Sequence, residues 1–194
     1  MRVLISISET KGIVSFLKNL TGFYTEIEII ATSGTYKYLK NNDIHSTEIS
    51  DYIDFPEILD GRVKSLHPKI FGGILSKKNS ENHNIDLKKF NINKIDMVIC
   101  NLYKFEKVIN SNEFSNEDAI ENIDIGGASI LRAAAKNYND VVVISDPSDY
   151  EFVFNCILEN KLNYDTKKKL AAKVFNLLSD YDIKIANYLS DNQN

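Results

Sequence analysis

The chain has 194 residues, of which 43% are hydrophobic and 26% charged, and a net charge of -4. That composition fits a soluble globular protein of one substantial α/β domain or two small ones, and the acidic balance, with a pI near 5.4, excludes nucleic-acid binding driven by bulk charge. No apolar run approaches the ~20 residues of a membrane-spanning helix, the short alternating start is not a signal peptide, and Cys100 and Cys156 lack any Cys-x-x-Cys spacing that would suggest a disulfide framework or a zinc site.

Residues 3–8 are apolar and β-branched and predict a first strand, closed by the polar turn Glu9-Thr10-Lys11-Gly12. Ile13, Val14, Phe16, Leu17 and Leu20 follow at helical spacing. Residues 26–31 predict a second strand, which runs into Thr32-Ser33-Gly34-Thr35 and a helix over 36–39. This repeated βα unit implies a parallel sheet with helices on its faces. Residues 44–68 read as mostly irregular, with a short edge strand over 44–49, and a loop of that length is often functional. Residues 76–94, rich in Lys, Asn and Ser, read as a surface excursion.

A third strand is predicted over 95–100, ending in Asn101-Leu102-Tyr103, followed by a polar helix over 117–121. Asn122-Ile123-Asp124-Ile125-Gly126-Gly127 leads into a helix over 128–136, then a strand over 141–144 and a helix start at Asp146-Pro147-Ser148-Asp149. From residue 166 the chain reads as one long amphipathic helix, or two broken near Ser179-Asp180. Its stripe is Leu170, Val174, Leu177, Tyr181, Ile185 and Tyr188. The expectation is a single three-layer α/β domain with a mainly parallel sheet of about five strands.

In such sheets ligands bind outside the carboxyl ends of the strands, where the turns at 9–12, 32–35, 101–103 and 146–149 all fall. Thr32-Ser33-Gly34-Thr35 opens a helix whose free N–H groups and dipole suit a phosphate, although Ser and Thr are also ordinary N-caps. Asp60-Gly61-Arg62-Val63-Lys64-Ser65-Leu66-His67-Pro68 places Arg62 and Lys64 two apart, on one face of an extended chain, where they serve either as a solvated basic turn or as an anion site. Asp124 precedes a helix that Lys136 ends. Both oppose the helix dipole as caps, but the pair Gly126-Gly127 exceeds what a cap needs. Tyr103 is read either as packing or as a ligand-edge hydroxyl, and His67 as a structural hydrogen-bonder. No Ser-His-Asp order, paired carboxylates or metal-ligand spacing is present.

These residues together resemble the inosine monophosphate (IMP) cyclohydrolase domain. That domain is the N-terminal half of the bifunctional purine-biosynthesis enzyme that also carries an aminoimidazolecarboxamide ribotide (AICAR) formyltransferase. The resemblance rests on Asp51-Tyr52-Ile53-Asp54-Phe55-Pro56-Glu57, the stretch from Asp60 to Pro68, Cys100-Asn101-Leu102-Tyr103, the stretch from Ala119 to Gly127, and Leu131-Arg132-Ala133-Ala134-Ala135-Lys136-Asn137. It implies a methylglyoxal-synthase-like, Rossmann-type fold over residues 1–194, with no formyltransferase domain in the chain. Carried over by position, the nucleotide contacts are Ser8, Glu9, Thr10 and Lys11, then Thr32, Ser33, Gly34 and Thr35. Arg62, Lys64 and Ser65 follow, with Cys100, Asn101, Asp124, Ile125, Gly126 and Gly127 at the base end. Lys64, Tyr103, Asp124 and Lys136 fall on catalytic positions. Two departures stand out. Glu9-Thr10-Lys11-Gly12 replaces Asp-Lys-Thr-Gly, shifting the basic group by one, and Tyr103-Lys104-Phe105 replaces Tyr-Pro-Phe.

The implied reaction is dehydrative ring closure of 5-formamidoimidazole-4-carboxamide ribotide to IMP, without cofactor or metal. A homodimer in the cytoplasm is implied, linked in function to an AICAR formyltransferase and engaging neither nucleic acid nor membrane. In this scheme Asp124 polarises the carboxamide, the N–H groups of Gly126 and Gly127 with Lys64 face the developing oxyanion, and Lys136 or Tyr103 moves the proton. The same fold also serves a methylglyoxal-forming lyase and domains that only bind a nucleotide.

Overall fold

The computed structural model describes residues 1–103, 105 and 115–191. Five strands, β1 (Arg2–Ser6), β2 (Glu28–Ala31), β3 (Thr47–Glu48), β4 (Met97–Cys100) and β5 (Val142–Ile144), form one sheet in the order β3-β2-β1-β4-β5. Every pairing is parallel, with Leu4 opposite both Ile30 and Val98, and Val98 opposite Val143. Successive side chains of a strand point to opposite faces, so the complete burial of β4 means that helices cover both sides. That is why its sequence is a continuous apolar run rather than an alternation.

The helices are α1 (Ile13–Phe23), α2 (Ser33–Lys40), α3 (Ile49–Ile53), α4 (Pro68–Leu75), α5 (Glu81–Lys89), α6 (Asn116–Glu121), α7 (Gly126–Lys136), α8 (Tyr150–Leu158) and α9 (Tyr164–Asp191). A 3-10 turn, Pro147–Asp149, precedes α8. Helices α4, α7 and α9 pack together beside β4 and β5, while α1 packs on α8 through the stacked rings of Phe16 and Tyr150, 4.8 Å apart. The tail is one unbroken helix through Ser179-Asp180. Among the described residues no helix is long and apolar enough to cross a membrane.

Three segments are more ordered than their sequence suggests. Within 44–68, only Thr47 and Glu48 pair as a strand, and α3 follows directly with Ile49 and Ile53 buried one turn apart. One helical turn is too short for its periodicity to register in a sequence window. Helix α4 starts where the His67 Nδ1 accepts the Lys69 N–H at 3.2 Å and Pro68 occupies the first turn, a position where its missing N–H costs nothing. The two glycines of α4, Gly72 and Gly73, are used for close packing: a Cβ on Gly73 would stand 2.6 Å from the Asn93 carbonyl. Within 76–94, α5 is capped by Ser80 and buries only Leu87, so its helical period is invisible in its apolar residues.

Candidate functional site

A cleft of about 540 Å³ opens along the carboxyl edge of the sheet. Its floor comes from the ends of β1, β2 and β4, through Ser6, Ile7 and Ser8, Thr32, Gly34 and Thr35, and Asn101 and Tyr103. The start of α7 closes one side through Asp124, Ile125, Gly126 and Gly127, and the loop from Asp60 to Ser65 closes the other. A hollow of similar size, about 560 Å³, lies over α5 and the segment that enters the opposite edge of the sheet at Lys94; none of the predicted site residues lines it.

The loop from residue 57 is a small hairpin. Ile58 and Val63 exchange backbone hydrogen bonds of 3.0 and 3.3 Å, and Gly61 turns the chain with φ of 90°, a backbone that residues with a Cβ rarely adopt. Both of its cations are paired. Arg62 Nε donates to Glu121 Oε2 at 3.0 Å and a second guanidinium N–H meets the other carboxylate oxygen. These bonds hold the Glu121 carboxyl below its ordinary range. Lys64 Nζ lies 3.7 Å from Glu57 Oε1, and the other Glu57 oxygen accepts the Ser33 hydroxyl at 3.1 Å. Carboxylates of the chain therefore stand beside the groups best suited to hold an external anion.

Helix α2 begins at Ser33 with Thr32 as N-cap, but the Thr32 side chain makes no capping bond. Its hydroxyl lies 3.3 Å from those of Ser6 and Thr35, and Thr35 accepts the Ile7 N–H at 3.0 Å. The first-turn N–H groups of a helix have no intrahelical acceptor, and here the hydroxyls that ordinarily serve them are turned to the β1 end instead.

At the other end of the cleft the contacts are to backbone. Asp124 Oδ1 accepts the Gly127 N–H at 2.7 Å, and a Cβ on Gly127 would sit 2.6 Å from the other carboxylate oxygen. A Cβ on Gly126 would sit 2.8 Å from the Ser65 hydroxyl. The Gly-Gly pair thus admits two polar side chains against the start of α7, which a bulkier pair would exclude. Asn101 binds the 8–9 turn: its Oδ1 accepts the N–H groups of Ser8 and Glu9 at 2.7 and 2.9 Å, and its Nδ2 donates to the Glu9 carbonyl at 3.0 Å.

The structure thus brings together Ser8, Thr32, Gly34, Thr35, Arg62, Lys64, Ser65, Asn101, Tyr103, Asp124, Ile125, Gly126 and Gly127. Glu9 and Thr10 are half-buried and do not line the cleft, Ser33 faces Glu57, and Lys11 is exposed on the turn before α1. Cys100 is buried beneath the floor, its thiol 3.7 Å from the Gly127 carbonyl. Burial, with the nearby Asp124 charge, pushes its ionisation far upward, so it supports the wall rather than meeting a ligand. Lys136 is not brought in. It is exposed at the far end of α7, and ten residues of helix separate it from Gly126 by about 15 Å. The Gly127 N–H, expected to face an oxyanion, is committed to Asp124. Lys104 lies outside the described residues. Reading by sequence missed Glu57, Glu121 and Tyr181, whose hydroxyl accepts the Asp124 N–H at 2.7 Å. Glu121 lies 59 residues from Arg62, Glu57 was visible only as the end of a family motif, and Tyr181 only as one member of an apolar stripe. Among the described residues no cluster of three or more His, Cys, Asp or Glu is placed to hold a metal.

Comparison with known proteins accords with this fold. The model of the MGS-like domain family matches residues 12–129, and that of the AICARFT/IMPCHase bienzyme matches residues 134–194. The bifunctional purine biosynthesis protein PurH of Clostridium beijerinckii is 52% identical over 190 residues, 97% of this chain and 37% of that protein. Its counterpart in Clostridium perfringens is 49% identical over 193 residues, 99% of this chain and 38% of that protein. The chain therefore spans well under half the length of these relatives. The crystal structure of ForH superposes with a TM-score of 0.88 at 27% identity, covering 100% of this chain and 98% of that one.

Proposed function

The chain belongs to the family of MGS-like domains and is related to a segment of the bifunctional purine-biosynthesis proteins; from that premise we propose that residues 1–194 form an IMP cyclohydrolase unit. The observation that carries this reading is the Asp124 carboxylate, held against Gly127 in one cleft with Lys64 and Tyr103. The cleft has an anion-binding end and a polar, backbone-lined end, as a nucleotide monophosphate requires.

The phosphate is assigned to the first turn of α2 with Arg62 and Ser65, and the imidazole carboxamide to the end bounded by Asp124 and Ile125, with Lys64 left to face the reacting group. In the reaction the carboxamide nitrogen attacks the formyl carbon of the same molecule. A C–N bond forms, one carboxamide proton passes to the former formyl oxygen, and that oxygen then leaves as water with the proton of the formamide nitrogen. Because both groups are carried on one ring, holding the reactive rotamer supplies much of the acceleration: well-oriented intramolecular reactions recover roughly 7–11 kcal/mol of barrier. No cofactor is called for.

The remaining work is electrostatic. Asp124 accepts from the carboxamide N–H₂ and raises the nucleophilicity of its nitrogen. With the Gly127 N–H already bonded, Lys64 is the group that meets the developing oxyanion. Tyr103, 60% exposed and lining the cleft, is the hydroxyl of this chain assigned to pass the proton, since Lys136 does not line it. The formamide substrate is made by formyl transfer to an amine, which links this step to an AICAR formyltransferase. A homodimer belongs to the same reading, and sedimentation tests it.

The test is to follow ring closure by absorbance, with dihydroxyacetone phosphate assayed alongside. Cyclisation by the wild-type chain and its loss in folded Asp124→Asn support the proposal. Methylglyoxal formation, or IMP binding without turnover, would replace it with a lyase or a binding module.

A further inference from the structure

We propose that Tyr181 is a positioning residue for Asp124, acting from a helix that contributes nothing else to the cleft; the proposal rests on the functional reading above. Tyr181 lies on α9, 57 residues away in sequence, and its hydroxyl accepts the Asp124 N–H at 2.7 Å. It is only 7% exposed, and the fully buried Phe105 packs edge-on against its ring with centroids 6.5 Å apart. The ring is therefore fixed, and so is the position of its hydroxyl.

Asp124 precedes the N-cap of α7, so its own N–H lies outside the helix ladder. Its two anchors come from different elements. Tyr181 holds the backbone from α9, and Gly127 holds the carboxylate from α7. With both in place the carboxylate is held at the start of α7, its two oxygens 2.6 and 3.0 Å from where a Cβ on Gly127 would stand. Removing the first leaves a backbone that can rotate and carry the carboxylate with it. A reacting group displaced by about 1 Å can lose on the order of 100-fold in rate, whereas the groups assigned to the phosphate sit on other elements, α2 and the 60–65 loop.

An ordinary buried tyrosine that only satisfies an N–H would behave differently, because its loss lowers stability without singling out the chemical step. Tyr181→Phe keeps the ring and deletes the acceptor. We expect kcat for ring closure to fall about tenfold while the Kd for IMP stays within about twofold. The control is Lys173→Met, which removes another tie of the same helix: Lys173 Nζ meets Asp149 Oδ2 at 2.8 Å and Asp146 Oδ2 at 3.2 Å. That variant should melt at a lower temperature with its kcat unchanged. An equal fall in kcat for both variants, or an unchanged kcat in Tyr181→Phe, would overturn the proposal. Amide exchange on the ligand-free chain keeps the test independent of the reaction. Tyr181→Phe should speed exchange at both Asp124 and Gly127, because loosening the backbone loosens the carboxylate bond to Gly127. Unchanged exchange at Gly127 contradicts the proposal even if the wild-type chain proves not to cyclise the formamide, a result that would instead refute the functional reading.

Discussion

The two ends of the cleft are built on opposite principles. At the mouth, Arg62 and Ser33 sit on exposed segments and are matched by the carboxylates of Glu121 and Glu57. At the base end, Asp124 and Asn101 are anchored to backbone N–H groups by bonds of 2.7 to 2.9 Å, on elements that pack into the core. Exposed ion pairs contribute about 0–1 kcal/mol and are screened by salt. Charge-assisted bonds to backbone in a partly buried site are stronger and less screened. The mouth is thus suited to capture and release of an anion, and the base end to holding geometry during a reaction. If that division is right, substitutions at the mouth change binding and its salt dependence, and substitutions at the base end change kcat.

The largest effect is expected at the base end. Asp124→Asn keeps the shape but loses the charge that polarises the carboxamide, and should lower kcat by roughly 10²–10³, the scale seen when one transition-state electrostatic partner is removed, with IMP affinity nearly intact by calorimetry. Next comes Arg62→Met. A hydrogen bond to a charged group is worth about 1.5–3 kcal/mol, so the Kd for IMP should rise by about 10- to 100-fold, while kcat at saturation holds. Titrations at low and high salt should show the difference between wild type and variant shrinking as salt rises.

A smaller effect, of opposite sign, belongs to Glu57. Its carboxylate stands between Ser33 and Lys64 where a phosphate is assigned, so Glu57→Gln removes an internal competitor and should tighten IMP binding by about two- to fivefold, the range of a single exposed ion pair. Weaker binding would show instead that Glu57 organises the mouth.

The smallest effect concerns pH and the loop's anchor. Burial, aided by Lys69, lowers the His67 ionisation below its ordinary 6.5, and its neutral Nδ1 caps α4. The unfolded chain therefore binds more protons below pH 6.5, so this contribution to stability is present above that pH and is lost as the pH falls through the folded value. Melting curves from pH 8 to 5 should show that slope in the wild type and a flatter one in His67→Gln.

How much of this could be read in the sequence follows the same contrast. Strands β1, β2, β4 and β5 and their carboxyl-edge turns were legible because buried parallel strands are apolar runs and each of these ends in small polar residues. Asp124-Ile125-Gly126-Gly127 was legible because two adjacent glycines exceed what a cap requires, and the structure supplies the reason in the side chains of Ser65 and Asp124. Helices α3 and α5 were not legible, since one is a single turn and the other buries one apolar residue. The counter-ions at the mouth escaped notice because Arg62 and Glu121 lie 59 residues apart, and no local pattern encodes such a pair. Lys136 is the reverse case. It matches a family motif by position, yet the geometry of α7 carries it away from the cleft.

The central claim is that this chain holds one nucleotide so that its own carboxamide closes on its formyl group, with Asp124 as the polarising base-end contact. The most direct measurement is the absorbance-monitored cyclisation of 5-formamidoimidazole-4-carboxamide ribotide by the 194-residue chain, compared with Asp124→Asn at matched folding and IMP affinity. The account predicts steady turnover by the wild type and a loss of two orders of magnitude or more in the variant. Equal turnover in the two proteins, or none in a wild-type chain that binds IMP, would contradict it.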